Sequence, residues 1–279
     1  MRETIELNIS SDDAAPFLPP EVGEDLGLTR HLVLPSNDPL LEKIRGHEQE
    51  WRRRGSTMLT YLEIHREYTP RELQQAKLLW LRIRPFFEPT GEDCGTVYDE
   101  TNACPKCSFG ARQVGPLHLE LRRIPKRDIA RTLGGEIVVS ARLAEELKAA
   151  GIRGYELGPV VSRQGKPTSH WYQLLLPECT VELAPQTRVG ANFFVPEPDE
   201  ARCPEGHVVG FNVLSEVHVQ RSSVGEADWL CTRQAVGQRF GPYRPEPLLL
   251  ISPRLYRLLT ALKVKRFDVE VAHLVPPAT

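Results

Sequence analysis

Residues 100 positions apart along this 279-residue chain follow one pattern, and that repetition limits the possible folds more than any single motif does. Leu117-His118-Leu119 and Asp128 are answered at that offset by Val217-His218-Val219 and Asp228, and Thr132 by Thr232, without a gap. After an insertion of about 12 residues in the second copy, around Gly237 to Glu246, the match resumes at an offset of 112. There Ser140, Arg142, Leu143, Leu147 and Ala149 become Ser252, Arg254, Leu255, Leu259 and Ala261, and Ile152, Tyr155 and Leu157 become Val264, Phe267 and Val269. Each copy reads as knuckle, strand, short turn, strand, helix and strand. The serine caps the helix, Ile137–Val139 and Leu249–Ile251 form the β-rich runs before it, and Gly151 or Lys263 ends it. Between the copies, His170–Leu176 and Cys179–Leu183 suggest a hairpin turning at Pro177 and Glu178.

Upstream of the repeat the pattern is weaker. Residues 1–37, with Ala-Pro-Phe-Leu-Pro-Pro at 15–20, read as an irregular arm holding at most one short strand. Asp38 to Arg53 has apolar residues at helical intervals, Met58–Tyr68 alternates as a strand does, and Thr69-Pro70-x-Glu72 opens a helix expected to reach Ile83. The expected fold is therefore α+β, with two tandem, similar mixed α/β units joined through a shared zinc site and an N-terminal helical extension. Its divisions would be 1–85, 86–183 and 184–279.

The zinc expectation comes from the same register. At the 100-residue offset Cys107 falls on His207, so Cys104-Pro-Lys-Cys107 corresponds to Cys203-Pro-Glu-Gly-His207. A Cys-x2-Cys turn aims two thiolates at one centre, and a tetrahedral ion needs a second pair, which a thiolate and an imidazole satisfy. Cys104, Cys107, Cys203 and His207 are thus the predicted ligands of one structural Zn2+ per chain. Two alternatives stand beside this: Cys94 or Cys179 replaces one ligand, or the thiols are simply buried in turns. Cys179 and Cys231 otherwise read as small apolar core residues. Four protein ligands leave no position for water, which favours structure over hydrolysis.

No phosphate loop, nucleophile elbow, His-Glu-x-x-His or dinucleotide fingerprint is present. His118 and His218 read as strand residues, although a pocket joining either to carboxylates would mark an enzyme. Asp99-Glu100 and Glu197–Glu200 read as exposed loops. A net charge of -2 gives no overall attraction to nucleic acid, so that alternative rests on the local cluster Arg122, Arg123, Lys126 and Arg127. No apolar run reaches the ~18 residues of a membrane span, and Met1–Ser10 lacks the pattern of a secretory signal. The chain is expected in the cytoplasm, with its cysteines reduced.

Cys104-Pro-Lys-Cys107, and Glu136-Ile-Val-Val-Ser-Ala-Arg-Leu143 through Gly154-Tyr-Glu-Leu157, resemble the myxobacterial paralogous family with a double Cys-x-x-Cys-Gly motif. The resemblance spans roughly Cys94 to Leu274. It implies a bacterial immunity protein, non-enzymatic, that neutralises a toxin delivered between cells by covering its active surface. Ser108 stands where the family has glycine after the first pair, and Cys203-Pro-Glu-Gly-His207 stands for the second pair.

Overall fold

A computed structural model describes residues 1–194, 202–241 and 243–276. The expected loop Glu197–Glu200 lies outside them. The chain forms two compact units: Met1–Glu72 with the described residues of Gly190–Pro198, and Leu73–Val189 with the described residues of Asp199–Thr279. Both are mixed α/β and mostly strand.

The N-terminal unit corrects the irregular arm. Strands β1 (Arg2–Ser10), β2 (Glu24–Asp25), β3 (Thr29–Pro35) and β4 (Leu59–Glu67) form an antiparallel sheet in the order β2-β3-β1-β4, with helices α1 (Ser11–Ala14) and α2 (Leu40–Arg53). The alternation Ile5, Leu7, Ile9 is the strand signal: all three are fully buried, together with Leu32, Leu41 and Ile44. A carboxylate sits in this core. Glu48 of α2 is wholly buried and accepts from the Thr57 hydroxyl (2.7 Å), the Met58 N–H (3.1 Å), Arg52 Nε (3.0 Å) and the Asn192 amide (2.7 Å). Those donors offset its desolvation and hold the 190–194 segment in this unit.

Helix α3 (Pro70–Gln75) starts at the expected capping box, where Glu72 accepts from the Thr69 N–H at 2.7 Å. It ends far short of Ile83. Leu79–Ile83 is instead strand β5, with Leu79, Leu81 and Ile83 buried. Apolar residues at 79, 80, 81 and 83 suit either period, and open edges on two other strands decide for the sheet.

The following elements are β6 (Val97–Asp99), β7 (Arg112–Val114), β8 (Leu117–Leu119), β9 (Ile129–Arg131), β10 (Ile137–Ser140), α4 (Ala141–Ala149), β11 (Glu156–Ser162) and β12 (Pro167–Leu175). After the short strands β13 (Val189–Gly190) and β14 (Asn212–Val213) come β15 (Val217–Gln220), β16 (Trp229–Val236), β17 (Glu246–Ile251), α5 (Pro253–Ala261) and β18 (Phe267–Val275). They build two five-stranded sheets, β8-β11-β12-β10-β9 and β15-β18-β5-β17-β16. The outer pairs β8·β11 and β15·β18 are parallel, and every other neighbour is antiparallel.

The two sheets share order and directions, but their central strands are exchanged. β5 completes the sheet of the later strands and then crosses over, so that Phe87 bridges Thr132 beside β9. β12 completes the sheet of the earlier strands and crosses the other way, so that Val181 bridges Thr232 in β16. The expected hairpin at Pro177 is therefore corrected: β12 pairs with β11, and Cys179–Leu183 belongs to this crossing.

One core joins the halves, with Leu143 and Leu147 of α4, Leu255 and Leu259 of α5, Val139, Ile251, Leu81 and Trp229. The helix details correspond as well. Ser140 and Ser252 each accept the N–H three residues on at 3.1 Å, and Asp128 and Asp228 accept from those serines at 2.8 and 2.6 Å. Arg142 of α4 donates to the Leu262 carbonyl ending α5 at 3.4 Å, while Arg254 of α5 donates to the Ala150 carbonyl ending α4. Each cation thus meets the negative end of the other helix. Gly151 and Lys263 close the helices with φ of 61° and 55°.

Candidate metal centre

The first knuckle is the tip of the β6–β7 hairpin. The Cys104 N–H donates to the Phe109 carbonyl (2.9 Å) and the Ser108 N–H to the Cys104 carbonyl (2.7 Å), a turn that forces Ser108 into the left-handed region at φ 57°. The second knuckle is also closed by two backbone bonds, with a three-residue rather than a four-residue step. The Cys203 N–H reaches the Val208 carbonyl (2.8 Å), the Gly206 N–H reaches the Cys203 carbonyl (2.9 Å), and Gly206 has φ 77°. Ala235, at the end of β16, donates to the His207 carbonyl at 2.8 Å and anchors this turn to its sheet.

All four predicted ligands come together. One ligand atom from each of Cys104, Cys107, Cys203 and His207 lies within 4.8 Å of the others, close enough to hold a metal ion. Cys104 Sγ is 3.7 Å from Cys203 Sγ, and His207 Nδ1 is 3.9 Å from Cys107 Sγ and 3.8 Å from Cys203 Sγ. A tetrahedron of Zn–S bonds of about 2.3 Å has edges of about 3.8 Å, so the thiols and ring nitrogen have the right spread. Cys104 and Cys203 are buried against Val208, Ala235 and Phe109, and Phe109 stacks on His207 with centroids 5.8 Å apart.

The two thiols of the first knuckle are held in opposite directions. Donation from the Lys106 N–H is the largest influence on the Cys104 thiol and brings its pKa down to about 6. Burial, reinforced by the neighbouring thiols, pushes Cys107 up to about 12. A cation bound among them would favour the ionised form of both. Outside the cluster, Lys106 pairs with Glu205 at 3.1 Å across a groove of about 450 Å³ lined also by Asn102, Phe109 and His207.

Both alternative ligands fall away. Cys94 is buried in a short 3-10 turn outside the cluster, its thiol pushed up by burial. Cys179 is bonded to Cys231 as a disulfide that ties the β12 crossing to β16, which corrects both the reduced state and the apolar core role expected for the pair. Among the described residues, neither strand histidine forms a dyad with a carboxylate. His218 Nδ1 meets the Glu216 carbonyl at 3.0 Å and its ring stacks on His273 at 4.8 Å, while His118 Nδ1 is buried without a partner.

The support beneath the first knuckle was missed from sequence. Tyr98 of β6 donates to the buried Glu136 at 2.7 Å, Thr132 also donates to Glu136, and Gln113 of β7 exchanges two amide bonds with Gln173 at 2.9 and 2.7 Å. Burial and the Glu136 charge hold the Tyr98 phenol protonated far above its ordinary range. The signal available was the register itself, since Glu136 stands where the 112 offset places Leu248.

Neither a scan against protein-family models nor a search of characterised proteins gives a match to this chain. No helix among the described residues is long and apolar enough to cross a membrane.

Proposed function

We propose that Cys104, Cys107, Cys203 and His207 hold one structural zinc ion that fastens two tandem, similar units at their knuckles, and that the protein acts by binding a partner protein rather than by catalysis. The observation that carries this reading is the closed set of four ligand atoms within 4.8 Å, which leaves a tetrahedral ion no open position. Zinc suits three thiols and an imidazole better than the harder divalent ions do. With the metal saturated by protein, its contribution is to folding, and the exposed surface is left for recognition.

The resemblance to the double Cys-x-x-Cys-Gly family makes the partner a toxin and the role immunity, in a bacterial cytoplasm. The Cys179–Cys231 disulfide is the feature that stands against a reducing compartment. Metal analysis tests the first half of the proposal: one equivalent of zinc is expected in the purified chain, and content unchanged by Cys104→Ala or Cys203→Ala removes it. The second half is tested with the product of the adjacent gene. A stable complex and rescue from its toxicity are expected, and failure of both ends the immunity reading while leaving the zinc centre standing.

A further inference from the structure

The crossing from β5 to β9 gathers more positive charge than the fold needs there. The Arg84 N–H donates to the Arg266 carbonyl at 3.2 Å, and Arg127 donates to the carbonyls of Arg84 (3.1 Å) and Pro85. The Arg131 guanidinium lies 5.0 Å from the ring of Phe86, which is itself 42% exposed. Arg131 is paired with Glu246, but neither Arg127 nor Arg266 meets a carboxylate among the described residues, and Arg127 Nε is buried without an acceptor. The like charges press on one another. Burial and then Arg266 lower the Arg127 pKa, and burial and then Arg84 lower that of Arg131.

The opposite crossing shows that these arginines are not required to build such a feature. Where Phe87 bridges Thr132, Val181 bridges Thr232, and there the chain is fastened by the Cys179–Cys231 disulfide. Arg127 and Arg131 are replaced at the 100-residue offset by Ala227 and Cys231, and Phe86, one residue before the bridge, by Thr180. The same backbone path thus exists without a guanidinium at the places of Arg127 and Arg131 and without an aromatic ring at that of Phe86, and the Arg233 guanidinium beside it is paired with Glu182 at 3.2 Å. Guanidinium groups match phosphate geometry, and a ring that lies under Arg131 and is 42% exposed offers a stacking surface.

We infer that the patch around Phe86, with Arg84, Arg127, Arg131 and Arg266, binds the phosphodiester backbone of a single-stranded nucleic acid and stacks one base on Phe86. The arginine and aromatic pairing favours this occupant over an acidic peptide, which would use the charges but not the ring. The inference does not rest on the zinc or immunity readings. Its test is fluorescence anisotropy of a labelled oligothymidylate of about 20 nucleotides with the full chain at about 50 mM salt. Micromolar binding is expected, falling with salt along a log–log slope of about −2 for some three phosphate contacts. Arg266→Gln, at an exposed site, should reduce that slope by about 0.7. Phe86→Ala should weaken binding about tenfold and leave the slope unchanged. No binding at low salt, or binding indifferent to both variants, overturns the inference. Tighter binding of a polyglutamate peptide than of the oligonucleotide also overturns it and assigns the patch to an acidic protein.

Discussion

Ser108, just after Cys107, and Gly206, just before His207, both hold left-handed conformations in their knuckles, φ 57° and 77°, yet only one of them is glycine. An L side chain in that region costs about 1–2 kcal/mol, whereas glycine loses about 0.5–1 kcal/mol more entropy on folding. Ser108→Gly should therefore stabilise the knuckle by about 0.5–1 kcal/mol. The converse change is equally well defined, because a Cβ built on Gly206 meets nothing within 4 Å, so Gly206→Ala introduces no clash and should destabilise by a similar amount. For a chain this long, about 1 kcal/mol moves Tm by some 2–3 °C, upward for Ser108→Gly and downward for Gly206→Ala. The left-handed turns carry the four side chains of the proposed zinc site, so zinc affinity should follow, rising or falling about two- to fivefold. Calorimetry of the zinc-loaded protein reads the first effect and chelator competition the second. Movement of both variants in the same direction, or a loss on Ser108→Gly, would refute the backbone explanation and point to a role for the serine hydroxyl.

Replacing Glu48 by glutamine puts an NH2 among four donors in a fully buried site. A loss of roughly 2–4 kcal/mol is expected, read as a lower urea midpoint; an unchanged midpoint would mean that the carboxylate is dispensable. Acid stability should depend on Asp128, whose carboxyl is held below its ordinary value chiefly by Arg142 and also by Ser140. A lowered folded-state value means that this stabilisation is complete above the unfolded pKa of about 3.9 and is lost as pH falls through the lowered value. Arg142→Gln should flatten the acid limb of a stability curve, and a limb unaltered by it would exclude Asp128 as the group responsible. Reduction of Cys179–Cys231, which closes a 52-residue separation, should destabilise by up to about 4 kcal/mol. A melting curve insensitive to reductant would show that the crossing is held by its backbone bonds alone.

Local chemistry was readable where a residue's role depends on its neighbours in sequence. The capping serines Ser140 and Ser252, the left-handed stops at Gly151 and Lys263, and the two knuckles all follow from short-range geometry and reappear in place. The clustering of Cys104, Cys107, Cys203 and His207 was legible for a further reason, since the common register puts distant residues at matching positions before any fold is known. Leu79–Ile83 failed for the opposite reason. Its apolar spacing satisfies a helix and a strand alike, and the deciding hydrogen bonds come from residues near 250 and 270. The same holds for Phe86 and its arginines, which are dispersed over some 180 residues and meet only at a crossing.

By itself the sequence determined two similar runs of elements, their caps and a pair of turns bearing the Cys and His side chains, because each of these is set by propensities and spacings within a few residues. Only the tertiary structure decided that β5 and β12 trade places between the two sheets. It alone decided that Glu48 and Glu136 are buried and satisfied, that Cys179 pairs with Cys231, and that the knuckles meet. The physical reason is that strand pairing is non-local. A strand's pattern says which face it buries, but not which partner removes its open edge, and that choice is made by the whole core at once.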